Sequence, residues 1–165
     1  MSRRVFALLR TLIIAPLFIV LWTSWVPRWF AGPQAFRDPR PIGWIVVAVG
    51  ALIAVPCIWE FAWRGFGTPA PFDPPRRLVV TGPYRFVRNP MYVGFGIALI
   101  GEAIVFPHAA PAIVGMMLIL WALVSVFVPV YEEPTLRRLF GVDYENYCRS
   151  VNRWIPRLRP FSSSS

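Results

Sequence analysis

Thr81-Gly82-Pro83-Tyr84-Arg85-Phe86-Val87-Arg88-Asn89-Pro90-Met91-Tyr92-Val93-Gly94 is the stretch on which the reading of the fold turns. It is a polar, arginine-bearing loop that runs straight into an apolar helix. Gly82-Pro83 marks a turn. Pro90 suits the first turn of a helix, where its missing amide hydrogen would be unpaired anyway. Asn89 is placed to cap that helix. A helix N-terminus carries partial positive charge and suits a carboxylate or phosphate. The loop therefore brings hydrogen-bonding side chains and a helix N-terminus to one place.

Downstream, residues 89–131 form a run of 43 residues whose one acidic group is Glu102. Pro107 and Pro111 bracket a break, which predicts a helix over 91–106, a turn, and a longer helix over 111–131. Upstream, 17 uncharged residues lie between Arg10 and Arg28, and 19 between Arg40 and Glu60. A membrane helix needs roughly 17–25 apolar residues, so spans are predicted over 11–27 and 42–63. Trp22, Trp25 and Trp29 crowd one end of the first, and Trp59 and Trp63 mark the exit of the second, as interfacial aromatic belts do. No small-residue cleavage site follows the first run cleanly, so it reads as a retained span. The loop 64–90 is rich in Gly and Pro and holds no long helix; Leu78-Val79-Val80 reads as a short extended segment on the bilayer surface.

The tail, 132–165, is amphipathic. Leu136, Leu139 and Phe140 share a helical face, Gly141 ends that piece, and Tyr144, Tyr147, Cys148 and Val151 recur at i, i+3, i+4, i+7 in a second. Pro156 stops it, and Ser162–Ser165 read as a disordered end.

Composition agrees. Of 165 residues 56% are hydrophobic, too many for an ordinary soluble domain of this length. The net charge is +9. All 17 basic residues are arginines, and they lie between apolar runs, which points to anionic lipid headgroups and away from nucleic acid. Four spans place the N-terminus, the loop 64–90 and the tail on one side with 14 of the 17 arginines, so that side is expected to be cytoplasmic. Cys57 and Cys148 form no metal-binding spacing, and no metal is expected.

The stretch 82–94, then Glu132-Glu133-Pro134-Thr135-Leu136-Arg137-Arg138-Leu139-Phe140-Gly141, Tyr144-Glu145-Asn146-Tyr147 and Arg153-Trp154-Ile155-Pro156, resembles the integral-membrane methyltransferases. That group includes isoprenylcysteine carboxyl methyltransferase and the phospholipid N-methyltransferases. The resemblance covers roughly residues 76–158, half of the chain. It implies one all-α integral membrane domain over 1–165, with about four transmembrane helices, a cytosolic cofactor-binding loop and amphipathic C-terminal helices. It also implies S-adenosyl-L-methionine as cofactor and a lipophilic or small, membrane-partitioned acceptor: a thiol, a carboxylate or a phospholipid amine. By the same resemblance Leu78, Val79, Tyr84, Asn89, Pro90, Met91, Tyr92, Glu132 and Glu133 would bind the cofactor, with Glu132 on its methionine portion. Arg88, Asn89 and Tyr92 would act at the reacting end. Two positions depart from the pattern. Asn89 stands where the family more often has His, and cannot titrate like it. Val128 stands where the prenylcysteine enzymes place a substrate-binding arginine, which argues against a prenylcysteine carboxylate as acceptor.

Methyl transfer from a sulfonium needs mainly alignment of the nucleophile and exclusion of water. A thiolate or carboxylate acceptor needs no base; an amine acceptor does, and no obvious base is present. On composition alone Arg85 and Arg88 read equally as headgroup anchors, and Tyr84 and Tyr92 as interfacial aromatics. Glu102 lies about 16 Å along its helix from Met91. A carboxyl at that depth is costly unless paired or wet, so it either lines an acceptor tunnel or reaches the outer headgroups. His108 reads as a surface residue. Two rival functions remain open: a catalytically silent scaffold that binds no cofactor, and a basic protein whose loop binds anionic lipid in a salt-dependent way.

Overall fold

Hydropathy and proline spacing translate into five α-helices among the residues that the computed structural model describes, which are 13, 17, 21–65 and 76–162. They are α1 (Val26–Ala31), α2 (Gly43–Glu60), α3 (Pro90–Val105), α4 (Ala110–Phe127) and α5 (Glu133–Ser150). Five-residue π-helical turns precede α1 at Leu21–Trp25, follow α2 at Phe61–Gly65, and join α4 to α5 at Val128–Glu132. About half of the predicted first span, 11–27, lies outside the described residues; from Leu21 the chain is helical through Ala31, past the expected end.

Among the described residues, two stretches are long and apolar enough to cross a membrane: Gly43–Glu60, with mean hydropathy 1.9, and part of the 41-residue helical run Ala110–Ser150, with mean hydropathy 2.6. Only 17% of each apolar window is buried, so most of their large side chains face outward. Leu52 and Ile119, for example, are 75% and 64% exposed. An outward apolar face is what a lipid solvent allows and water penalises. At 16 residues, α3 is about 24 Å long, shorter than a hydrocarbon core of about 30 Å.

Glycine decides how α2 and α3 pack. A Cβ at Gly50 would sit 2.5 Å from the Ala98 amide nitrogen and the Gly94 carbonyl oxygen; one at Gly101 would sit 2.5 Å from the Val47 amide nitrogen. Gly43 faces Gly101 and Val105, and Gly94 faces Gly50 and Ala54, so the helices run antiparallel with backbones almost touching. Seven residues separate the glycines on each helix, which keeps them on one seam. Close backbone approach over small residues is how helices associate where no hydrophobic driving force acts between them. The α3–α4 hairpin turns at 106–109, where Pro107 and Pro111 predict it. Leu99, Ala109, Ile113 and Met116 form its buried centre.

The tail differs from expectation at its start. The chain does not break before Glu132: Pro129 is absorbed by the π-helical turn, and the helix runs on. Gly141, at φ 51° and ψ −124°, ends the first helical piece of α5 where the sequence predicts it, and a second piece follows across the kink. Leu136, Phe140, Tyr144, Tyr147 and Val151 form the inward stripe, whereas Leu139 is 54% exposed.

After α5 the chain forms a non-helical strap, 152–161, whose course the quoted motif 153–156 does not announce. It lies along the loop through three backbone hydrogen bonds of 2.9 Å: Arg88 N–H to Asn152 C=O, Arg157 N–H to Phe86 C=O, and Phe161 N–H to Arg85 C=O. The Arg85 side chain adds a 2.7 Å bond to the Phe161 carbonyl.

Candidate functional site

The loop is anchored at three points. The Thr81 hydroxyl donates to Glu60 at 2.5 Å, and Glu60 also pairs with Arg64 at 2.7 Å. These contacts fasten the loop's start to the end of α2. Gly82, at φ 56°, makes the turn that a side chain would strain. The short 3-10 turn Gly82–Arg85 then buries the Tyr84 ring among Cys57, Val79, Phe61 and Met91. The Tyr84 carbonyl accepts a 2.7 Å bond from the Tyr147 hydroxyl, so loop and tail meet directly. The strap forms the third anchor.

Asn89 occupies the N-cap position of α3, yet its side chain makes no cap. Its amide donates instead to the Arg153 carbonyl at 3.2 Å. The capping expectation is therefore corrected: a tertiary acceptor on the strap has taken the donor that the helix end would use.

Between loop and tail lies a small pocket, open on one side. Leu78, Val79 and Tyr84 line it from the loop, followed by Arg88 and Asn89 at the head of α3. Val128, Glu132 and Glu133 line it from the π-helical turn and the start of α5. Leu136, Tyr144 and Tyr147 complete the tail side, and Phe61 closes it from the π-helical turn that follows α2. Seven of the expected residues thus meet in one cavity. Pro90, Met91 and Tyr92 do not line it: Pro90 is buried, Met91 packs behind Tyr84, and Tyr92 reaches the site through Glu132. Glu102 is not brought to it. One Glu102 carboxylate oxygen is buried with no hydrogen-bond partner among the described residues, and Arg28 is the cation whose field reaches it.

The two adjacent carboxylates have unlike surroundings. Glu133 is 5% exposed, and both its oxygens are taken. Arg153 grips it with two bonds, Nε to Oε1 at 2.7 Å and Nη2 to Oε2 at 2.8 Å, and Arg88 Nη1 reaches Oε1 at 3.0 Å. Glu132 has no ion pair among the described residues; it accepts one long bond, 3.3 Å, from the Tyr92 hydroxyl. Burial pushes its carboxyl up to about 7; the Tyr92 bond opposes this and the Glu133 charge adds to it. Burial also raises Tyr84, Tyr144 and Tyr147 above the ordinary phenol range, so all three are neutral donors near pH 7. Arg88 Nη1 also reaches Cys148 Sγ at 2.7 Å, while Arg88 Nε is buried without a partner among the described residues. A polar cavity edge with an underused carboxylate and an orphaned guanidinium nitrogen, on otherwise apolar walls, suits a ligand with a zwitterionic end.

Tyr144 and Tyr147 were legible as members of a helical stripe, but not as pocket walls. Phe61 carried no signal. Arg153 lay in a quoted motif without an assigned task.

A family model described as phospholipid methyltransferase matches residues 39–143. A probable protein-S-isoprenylcysteine O-methyltransferase of Oryza sativa subsp. indica is 34% identical over 85 residues, 52% of this chain and 44% of the relative. Protein-S-isoprenylcysteine O-methyltransferase A of Arabidopsis thaliana is 32% identical over 116 residues, 69% of this chain and 57% of the relative. The Schizosaccharomyces pombe protein-S-isoprenylcysteine O-methyltransferase is 35% identical over 81 residues, 49% of this chain and 34% of the relative. The chain thus spans about half the length of these relatives or less. No solved structure matches it.

Proposed function

Because the chain belongs to the phospholipid methyltransferase family, we propose that it is a membrane-embedded methyltransferase. Its methyl donor is S-adenosylmethionine, and its acceptor is lipophilic or small and partitions into the membrane. The observation that carries this reading is the pocket between loop and tail, where Glu132 is half-buried yet has no ion pair among the described residues. The residues present fit the donor: Glu132 suits its ammonium, the unpartnered Arg88 Nε suits its carboxylate, and the apolar lining suits its less polar parts.

When bound, S-adenosylmethionine supplies a methyl group on a positively charged sulfur. Within the pocket, Glu132 would hold the ammonium, and the Tyr92 hydroxyl fixes the carboxylate that does so. Leu78, Val79 and Tyr84 would form the wall against the cofactor body. Arg88 and Asn89, pinned by the strap, would orient the reacting end. The apolar lining excludes water, so alignment supplies much of the rate.

The curated relatives are named for isoprenylcysteine, but Val128, 1% exposed and part of the pocket wall, offers a carboxylate acceptor no cation. This favours another acceptor class. We read four membrane spans, counting α2, α3, α4 and the segment that ends in α1. The arginine-rich loop and tail then lie on the cytoplasmic side.

Titration calorimetry of the detergent-purified protein with S-adenosylhomocysteine tests the proposal. Saturable one-site binding supports it; no heat of binding across the micromolar to millimolar range overturns it. Labelled cofactor with a lipid extract then identifies the acceptor.

A further inference from the structure

Arg88 and Arg153 compete for one carboxylate. Arg153 holds both oxygens of Glu133 in a two-pronged grip, at 2.7 and 2.8 Å. Arg88 is left with one contact, Nη1 to Oε1 at 3.0 Å, and the same nitrogen is shared with Cys148 Sγ. Arginine and carboxylate prefer two parallel bonds to one. Arg88, whose side chain is 12% exposed, would make that two-pronged pair with Glu133 itself if Arg153 were absent. It would then be drawn out of its present position on the pocket wall, and its Nε would no longer be unpartnered.

The position of Arg153 is independently fixed. Its own carbonyl accepts from Asn89, and the preceding carbonyl, of Asn152, accepts from the Arg88 amide. Residues 152 and 153 therefore hold the backbone of 88 and the side chain of 89, while the Arg153 side chain occupies Glu133.

We propose that Arg153 is a positioning residue: by holding both oxygens of Glu133 it limits Arg88 to one contact there and leaves Arg88 Nε, unpartnered among the described residues, for an anionic group in the pocket. That group is a carboxylate, and its source is either the amino-acid end of the methyl donor or the acceptor. This rests on the function proposed above. The two adjacent glutamates then have separate tasks, Glu133 internal and Glu132 facing the ligand.

The test is S-adenosylhomocysteine affinity by calorimetry. Arg153→Gln should weaken binding at least tenfold. Adding Glu133→Gln to Arg153→Gln should recover most of the loss, because Arg88 then has no carboxylate to collapse onto. A merely structural ion pair predicts no recovery, and that result would overturn the proposal. Arg153→Lys keeps the charge but not the fork; it should fall between wild type and Arg153→Gln, and a loss equal to that of Arg153→Gln counts against the model of shared grip. If Arg153→Gln leaves S-adenosylhomocysteine affinity intact but weakens a carboxylate-bearing acceptor tenfold in KM, the carboxylate belongs to the acceptor. Should the wild-type protein bind no S-adenosylhomocysteine, the proposed function fails, and an experimental structure of ligand-free Arg153→Gln still decides this inference. Arg88 bonded to both Glu133 oxygens upholds it, and Arg88 unmoved refutes it.

Discussion

Replacing Glu132 by glutamine should make the ligand-free protein more stable and a worse binder. The carboxyl is raised from 4.5 to about 7, first by burial. A group whose folded pKa lies above its unfolded value prefers to be protonated in the fold. Its ionisation therefore costs stability as pH rises through that window, and the full cost is present above the folded value. At 1.36 kcal/mol per unit, the cost at pH 8 is about 3 kcal/mol. Below about pH 4.5 it vanishes. Glu132→Gln removes the charge and keeps the shape, so its melting temperature in detergent should exceed that of wild type at pH 8 and match it near pH 4.5. Binding runs the other way. Loss of a charged hydrogen bond is worth roughly 1.5–3 kcal/mol, so S-adenosylhomocysteine should bind about tenfold to a hundredfold more weakly. Wild-type affinity should itself rise with pH through about 7, as the carboxylate ionises to meet the ammonium. A variant that is less stable at pH 8, or that binds as wild type does, would refute the reasoning.

Three other outcomes are expected. Gly50→Val should abolish a monodisperse peak in detergent chromatography, since its Cβ would meet backbone at 2.5 Å; Gly96→Ala, with nothing within 4 Å, should elute as wild type. Thr81→Val removes the hydroxyl from Glu60 and should speed amide exchange over 81–88 by several-fold, with a stability loss of about 1–3 kcal/mol; unchanged exchange would show that this anchor is dispensable. Prenylcysteine analogues should not be methylated at a useful rate, because the pocket presents Val128; efficient turnover would mean that another cation, Arg88 first among them, takes the carboxylate.

The hairpin was legible because Pro107 and Pro111 forbid a continuous helix, and α3 and α4 begin and end within a few residues of the expected bounds. The bend at Gly141 was legible for a similar reason: glycine accepts the positive φ that it adopts there. Side-chain periodicity revealed the Tyr144 and Tyr147 stripe. What stayed hidden depends on partners distant in sequence. Gly43, Gly50, Gly94 and Gly101 have the spacing of a packing seam, but only the opposing backbone shows it to be one. The strap 152–161 is held by backbone hydrogen bonds, which leave no mark on residue type. Asn89 is a good capping residue by nature, and the Arg153 carbonyl outcompetes the helix end for it. The π-helical turn that carries Pro129 and joins α4 to α5 had no sequence signal. Glu132 and Glu133 are indistinguishable as letters; two arginines from distant segments separate them.

The central claim is that loop and tail close one site around a shared ligand. Neither has a large core of its own, so ligand that binds only the closed arrangement should order both at once. Hydrogen exchange with and without S-adenosylhomocysteine measures this most directly. The account predicts simultaneous protection of amides in 84–89 and 136–147, with the turn at 107–109 unchanged. Protection of one segment without the other would contradict it.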